Sequence, residues 1–133
     1  MDKIDIKLFE KFKEIARKLK EIQKEVIAKF NLSWGYYKIL SSLSAKENLT
    51  QTKLSNICDI DKPATSRLVN KMTEDGFITK QYKNENKKNI YLSLTSLGKK
   101  IAGEIKSCII KVQEKYFKKL NTNEKQTLLA LLD

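Results

Sequence analysis

The stretch TQTKLSNICDIDKPATSRLVNKMTEDGF, residues 50–77, decides the fold. Thr50 stands where it can cap a short helix carrying Leu54, Ile57 and Cys58, and Asp59 to Asp61 form a tight connection. Asp61 then caps a second helix with Pro63 in its first turn, where the missing N–H costs nothing, and Gly76 ends it. Two short helices joined by about three residues are the helix-turn-helix pattern. On a helical wheel the second helix puts Thr65, Leu68, Val69 and Met72 on one side and Pro63, Ser66, Arg67 and Asn70 on the other. One side reads as core and the other as an open polar face.

After Gly76 the hydrophobic period changes to that of strands. Phe77 to Tyr82, a polar stretch from Lys83 to Asn89, and the alternating Ile90, Leu92 and Leu94 predict a β-hairpin whose tip holds Asn84, Glu85, Asn86, Lys87 and Lys88. Upstream, Ser33 is placed to cap a helix with Tyr36, Ile39, Leu40 and Leu43 on one face, ending near Ala45.

Long helices are predicted at both ends. Leu8, Phe12, Ile15, Leu19, Ile22, Val26 and Phe30 alternate steps of four and three, a narrow stripe on a helix over residues 3 to 30. Glu14 with Lys18, Glu21 with Lys24 and Glu25 with Lys29 support it weakly from the wet face. Such a helix is about 42 Å long, whereas a globule of this chain length has a radius of gyration of about 14 Å. It would overhang its own domain, and the simplest cover for an overhanging apolar stripe is the same element of a second copy. Leu97, Ile101, Ile105, Cys108, Ile109, Val112, Tyr116 and Leu120 form a second long stripe; Asn121 followed by Glu124 then marks a capped restart into a last helix with Leu128, Leu129, Leu131 and Leu132. The expected dimerisation residues are Leu8, Phe12, Ile15, Leu19, Ile109, Val112, Tyr116, Leu128 and Leu132. An ordinary intramolecular bundle is the alternative use of these stripes.

Length and composition set the limits. The 133 residues fit one domain, domains typically running about 100 to 200 residues. With 41% apolar and 32% charged residues the chain can build a core. Its expected class is mainly α with a small β-hairpin wing: a lobe over residues 33–95, flanked by dimerisation helices over 1–32 and 96–133. The net charge of +11 points toward nucleic acid or another anionic surface. Lysine supplies nearly all of it, a usage that an AT-rich coding sequence would give whatever the function. The longest apolar run, Leu128 to Leu132, is far below a membrane span, and the first turns are charged throughout, so a soluble, cytoplasmic protein without a membrane partner is expected. With no His, triads that need one and His-ligated metals are excluded. Two Cys cannot build a metal site, and there is no Gly-rich phosphate loop, so neither a cofactor nor an enzyme is expected. Cys58 and Cys108, both on apolar stripes, read as reduced and inert or, alternatively, as a redox switch.

The polar face of the second helix carries the chemistry. Arg67, one of two arginines, can grip a guanine edge bidentately; Ser66 can bond a base edge or a phosphate; Asn70 suits adenine or a backbone oxygen; Ala64 is small enough to meet a thymine methyl. Residues 62–71 hold three cations and no acid. The hairpin tip is long enough to reach a minor groove beside the major groove taken by the helix. The expected DNA-binding set is Thr50, Thr52, Lys62, Pro63, Ala64, Ser66, Arg67, Asn70, Lys71, Lys83, Asn86, Lys87 and Lys88. A solvated face that binds nothing is the alternative.

The run Leu54-Ser55, Ile60-Asp61-Lys62, Ser66-Arg67-Leu68-Val69, Lys71-Met72, Asp75-Gly76-Phe77-Ile78 and Leu94-Thr95-Ser96-Leu97-Gly98 resembles the MarR family of bacterial and archaeal transcriptional regulators. The resemblance covers residues 32 to 101 by motif and the rest by layout. It implies a winged helix-turn-helix fold, a homodimer formed by the terminal helices, and two-fold binding to a pseudo-palindromic operator with recognition helices about one DNA turn apart. It also implies a repressor that releases DNA when a small aromatic or phenolic ligand binds, for which Phe30, Trp34, Tyr36 and Tyr37 are the candidate lining; core packing is the other use of these aromatics. Where the family's wing usually has Asp-Arg-Arg, this chain has Asn86, Lys87 and Lys88, and Pro63 and Ala64 replace small polar residues. Lysine lacks the planar fork that suits a narrow groove, so the wing is expected to act more by charge than by reading sequence. The competing function is a winged-helix module that docks to protein.

Overall fold

The computed structural model describes residues 2–82 and 90–133. In chain order the elements are α1 (Lys3–Lys29), α2 (Trp34–Ala45), β1 (Leu49–Thr50), α3 (Gln51–Cys58), α4 (Lys62–Glu74), β2 (Ile78–Tyr82), β3 (Ile90–Leu94), α5 (Ser96–Phe117) and α6 (Thr122–Leu132). None of these helices is long and apolar enough to cross a membrane. The chain divides into two compact units, one of residues 1–26 with 106–133 and one of residues 27–105. The second is wider than the expected 33–95 because the last turn of α1 and the first half of α5 belong to it, with Ile27 and Ile105 fully buried.

Helix boundaries follow local chemistry. Ser33, Thr50 and Asp61 each accept a backbone N–H of the first turn, from Tyr36, Lys53 and Ala64. Asn121 and Glu124 satisfy each other's backbone N–H groups in a reciprocal capping box. α1, α3 and α4 all end in the same way, with a left-handed residue after the helix and two backbone bonds folded back across it. The left-handed residues are Asn31, Asp59 and Gly76, and in α4 the bonds run from Gly76 N–H to the Thr73 carbonyl and from Phe77 N–H to that of Met72. Asn and Asp tolerate this conformation better than other side chains, which is why glycine is not needed at the first two.

The sheet is antiparallel in the order β1-β3-β2, with Leu49 opposite Leu92 and Ile78 opposite Leu94. β1 corrects the expectation of a hairpin alone. It is two residues long, and left-handed Asn48 beside it is tied to β3, its N–H donating to Ser93 Oγ and its Oδ1 accepting from the same hydroxyl. The core of the lobe gathers Ile39, Leu40, Leu43, Leu54, Val69, Met72, Leu92 and Ile78. Burying side chains of this kind contributes roughly 1.5–3 kcal/mol each.

Candidate nucleic-acid interface

α4 is anchored by its inner face. Thr65, Val69 and Met72 are fully buried, and the Thr65 hydroxyl donates to the Asp61 carbonyl at 2.9 Å, so its burial leaves nothing unsatisfied. The opposite face is open: Lys62, Pro63, Arg67, Asn70 and Lys71 are exposed, with Ala64 and Ser66 half-buried at its edge. Between Asp61 and Glu74 this helix has three cations and no acid.

The first helix of the pair is pinned too. Thr50 spends its side chain on the α3 cap while Thr52, two residues on, is exposed. Lys38 donates from Nζ to the Cys58 carbonyl at 2.9 Å, placing a cation at the negative end of α3. Cys58 is buried with its sulfur 3.3 Å from Ser42 Oγ.

At its far end α4 is held by side chains from two directions. The Tyr36 hydroxyl donates to Asp75 Oδ2 at 2.9 Å, and its ring meets Phe77 edge-on at 6.0 Å. Tyr36 is only 3% exposed. Burial first, and then the bond to Asp75, push its phenol far above the ordinary tyrosine range. From the other side, Thr95 donates from its hydroxyl to the Gly76 carbonyl and from its N–H to that of Phe77, while Gly98 N–H donates to Thr95 Oγ1. The turn after α4 and the start of α5 form one knot.

The strand next to α4 adds a residue absent from the expected set. Lys80 Nζ donates to Asn70 Oδ1 at 3.1 Å, linking β2 to the open face of α4. Strand alternation was the available signal: Lys80 lies on the same side as buried Ile78, the side facing the helices. Lys83, Asn86, Lys87 and Lys88 of the expected wing lie outside the described residues.

A short helix pair, an open cationic face on its second member and a strand pair directly behind it are the parts of a winged helix-turn-helix, and the model of the MarR family matches residues 32–90. Over that stretch this chain is similar to the MarR family. It is 30% identical over 101 residues to the HTH-type transcriptional repressor YetL of Bacillus subtilis, a match covering 74% of this chain and 60% of that protein. A putative transcriptional regulatory protein for the hcr operon of Thauera aromatica is 24% identical over 98 residues, covering 74% and 59%. The match thus spans about three-fifths of the length of these two relatives. The structure of a MarR family protein from Bacillus stearothermophilus superposes with a TM-score of 0.86 at 20% identity, covering 99% of this chain and 93% of that one.

Of the MarR-type effector residues expected from the sequence, Tyr36 is taken into the core, whereas Phe30, Trp34 and Tyr37 are half-buried, with the Trp34 and Tyr37 rings 5.6 Å apart. In the unit built from the chain ends, Leu8, Phe12, Ile15, Tyr116, Leu128 and Leu132 are exposed and Leu19 and Val112 half-buried. Two expectations need correction. Ile109 is 5% exposed, so it packs within the chain instead of on an open face. Cys108 is exposed, because the α5 stripe is buried along one edge only. Periodicity did not single out Ile4, Phe9, Ile110 and Phe117, all large and exposed, and Leu129 and Leu131 of the last helix are exposed as well. α6 buries none of its residues. A cleft of about 290 Å³ lies in this unit over Ile15, Leu19, Tyr116, Phe117, Leu120 and Leu128, rimmed by Lys11, Glu14 and Lys18. The bond from Lys18, with help from Lys11, holds the Glu14 carboxyl below the usual carboxylate range.

Proposed function

We propose that this protein is a cytoplasmic, homodimeric, double-stranded DNA-binding transcriptional regulator that represses from a pseudo-palindromic operator. The observation that carries the reading is the outer face of α4, where Lys62, Arg67, Asn70 and Lys71 stand in solvent on a helix fixed at both ends. Such a rod fits a major groove, with cations meeting phosphates and Arg67 offered to a guanine edge. The wing residues Lys83, Asn86, Lys87 and Lys88, together with Thr50 and Thr52, complete the contact. YetL, named as a repressor, supports the direction of regulation.

The second copy covers the terminal helices. Leu131 is 78% exposed and α6 has no buried residue, so what covers this leucine-rich helix within the chain is too little to account for its composition. A small aromatic or phenolic effector acts at Phe30, Trp34 and Tyr37, whose rings remain partly open.

Titration of a labelled promoter fragment and a scrambled duplex at several salt concentrations, with light scattering of the same sample, tests the whole reading. The expected result is a dimer that prefers one sequence and whose affinity falls steeply with salt. A protein that stays a monomer and treats all duplexes alike refutes it.

A further inference from the structure

Asn70 is the one amide on the open face of α4, and its oxygen is already engaged. An ammonium only donates, so the atom that Lys80 Nζ meets at 3.1 Å must be Oδ1, and this bond makes no use of the NH2 group. Lys80 is built to make this contact. It shares the helix-facing side of β2 with Ile78 and is half-buried, so its stem runs along the lobe and its charged end emerges beside α4. β2 and α4 pack directly together.

The consequence concerns which bases this face accepts. Bidentate reading of adenine needs both ends of an asparagine amide, the oxygen taking the N6 proton and the NH2 group giving one to N7. One lone pair of the oxygen is taken by Lys80, whose ammonium crowds the other against a second donor such as the adenine N6 group, while the amide NH2 and the rest of the ammonium are left to donate. We propose that Lys80 is a specificity-determining residue: by holding the amide oxygen it makes Asn70 a donor, directed at acceptor atoms of the DNA (phosphate oxygen or the N7/O6 edge of guanine) and turned away from adenine. This rests on α4 being the DNA-reading helix.

Binding-site selection on the full-length protein tests it, using the wild type, Lys80→Met, Lys80→Gln and Asn70→Ala. Methionine keeps the apolar stem but cannot donate; glutamine can still donate to Oδ1 without the charge. Both positions of change, exposed Asn70 and half-buried Lys80, lie outside the core, so the fold is expected to be kept. The expected result is that Lys80→Met gains a preference for adenine of about fivefold or more at one position per half-site, while Lys80→Gln keeps the wild-type profile. Asn70→Ala then tells the two acceptors apart, a phosphate contact giving an equal loss on all sequences and a guanine contact a loss at one position. A wild-type adenine preference that Asn70→Ala abolishes overturns the proposal, as do identical profiles for Lys80→Met and Lys80→Gln. If the wild type binds no duplex at all, the function itself fails and this assignment with it, a result distinct from either of those.

Discussion

Gly98 stands in the first turn of α5, and a methyl group there has no room. A Cβ built on its backbone comes closer than 3.0 Å to the Phe77 carbonyl oxygen, 3.1 Å from the carbonyl carbon and 3.3 Å from Leu94 Cβ. The obstacle is backbone, which cannot swing aside as a side chain would. It is the same carbonyl that accepts the Thr95 N–H at 3.0 Å. Gly98→Ala must therefore push apart the knot between the end of α4 and the start of α5. Overpacking costs about 1–3 kcal/mol and a weakened internal hydrogen bond about 1 kcal/mol more. For a chain of this size a total near 3 kcal/mol lowers the melting temperature by on the order of 10 °C. Gly103 is the control, five residues along the same helix, with nothing within 4 Å of an added Cβ. There the substitution removes only the entropic cost of glycine in a helix, so Gly103→Ala is expected to stabilise by about 0.5–1 kcal/mol. Thermal unfolding followed by circular dichroism at matched protein concentrations decides, since melting of an oligomer depends on concentration. A Gly98→Ala protein melting within a degree or two of wild type, or equal losses at both glycines, refutes the argument.

Arg67→Ala should reduce discrimination between operator and random DNA by about 1–3 kcal/mol, whereas Lys71→Ala should weaken all sequences alike and lower the salt slope by about 1, both read from competition titrations. Leu131→Glu, placing a charge on the most exposed leucine of α6, should shift the mass measured by light scattering from dimer toward monomer. For Tyr36 the sign follows from where the proton sits. The folded state holds the phenol proton above the ordinary value of 10.0, so the unfolded chain releases it first and stability falls as pH rises beyond that value. Tyr36→Phe should therefore lose stability at neutral pH through the missing bond to Asp75, yet show a shallower further decline above about pH 10 in urea unfolding.

What could be read from the sequence was local. Ser33, Thr50, Asp61 and Asn121 cap the helices they were expected to cap, because a cap is a bond between residues three apart and its partners are both visible in the chain. β1 escaped because Leu49 and Thr50 are too few to show an alternation; they become a strand only by pairing with Leu92 and Tyr91, more than forty residues away. Ile109 shows a related limit. A helical stripe identifies an apolar side, but not which part of that side is consumed inside the chain, and the same period runs through buried Ile105 and exposed Tyr116. Lys80 was illegible as a partner of Asn70, ten residues away, since that bond needs the strand to lie against the helix.

The ties on α4 differ in what they can alter. Thirteen residues is about the length at which an isolated helix is marginal in water, so the place and persistence of this one depend on the lobe. Tyr36 to Asp75 and Thr95 to Gly76 act just past its C-terminal end and bond none of its exposed cations, and loosening either shifts or frays the rod as a whole. Such a change is felt equally by every DNA sequence. Lys80 to Asn70 lies on the reading face itself, and releasing it leaves the rod in place while changing which atoms one side chain presents. Tyr36→Phe and Thr95→Val are therefore expected to lower affinity for operator and random duplex by the same factor, in contrast to Lys80→Met, which should reorder preferences. A change of preferred sequence in Tyr36→Phe would mean that the end of α4 moves relative to the groove in a sequence-dependent way, and the division between holding and reading would be lost.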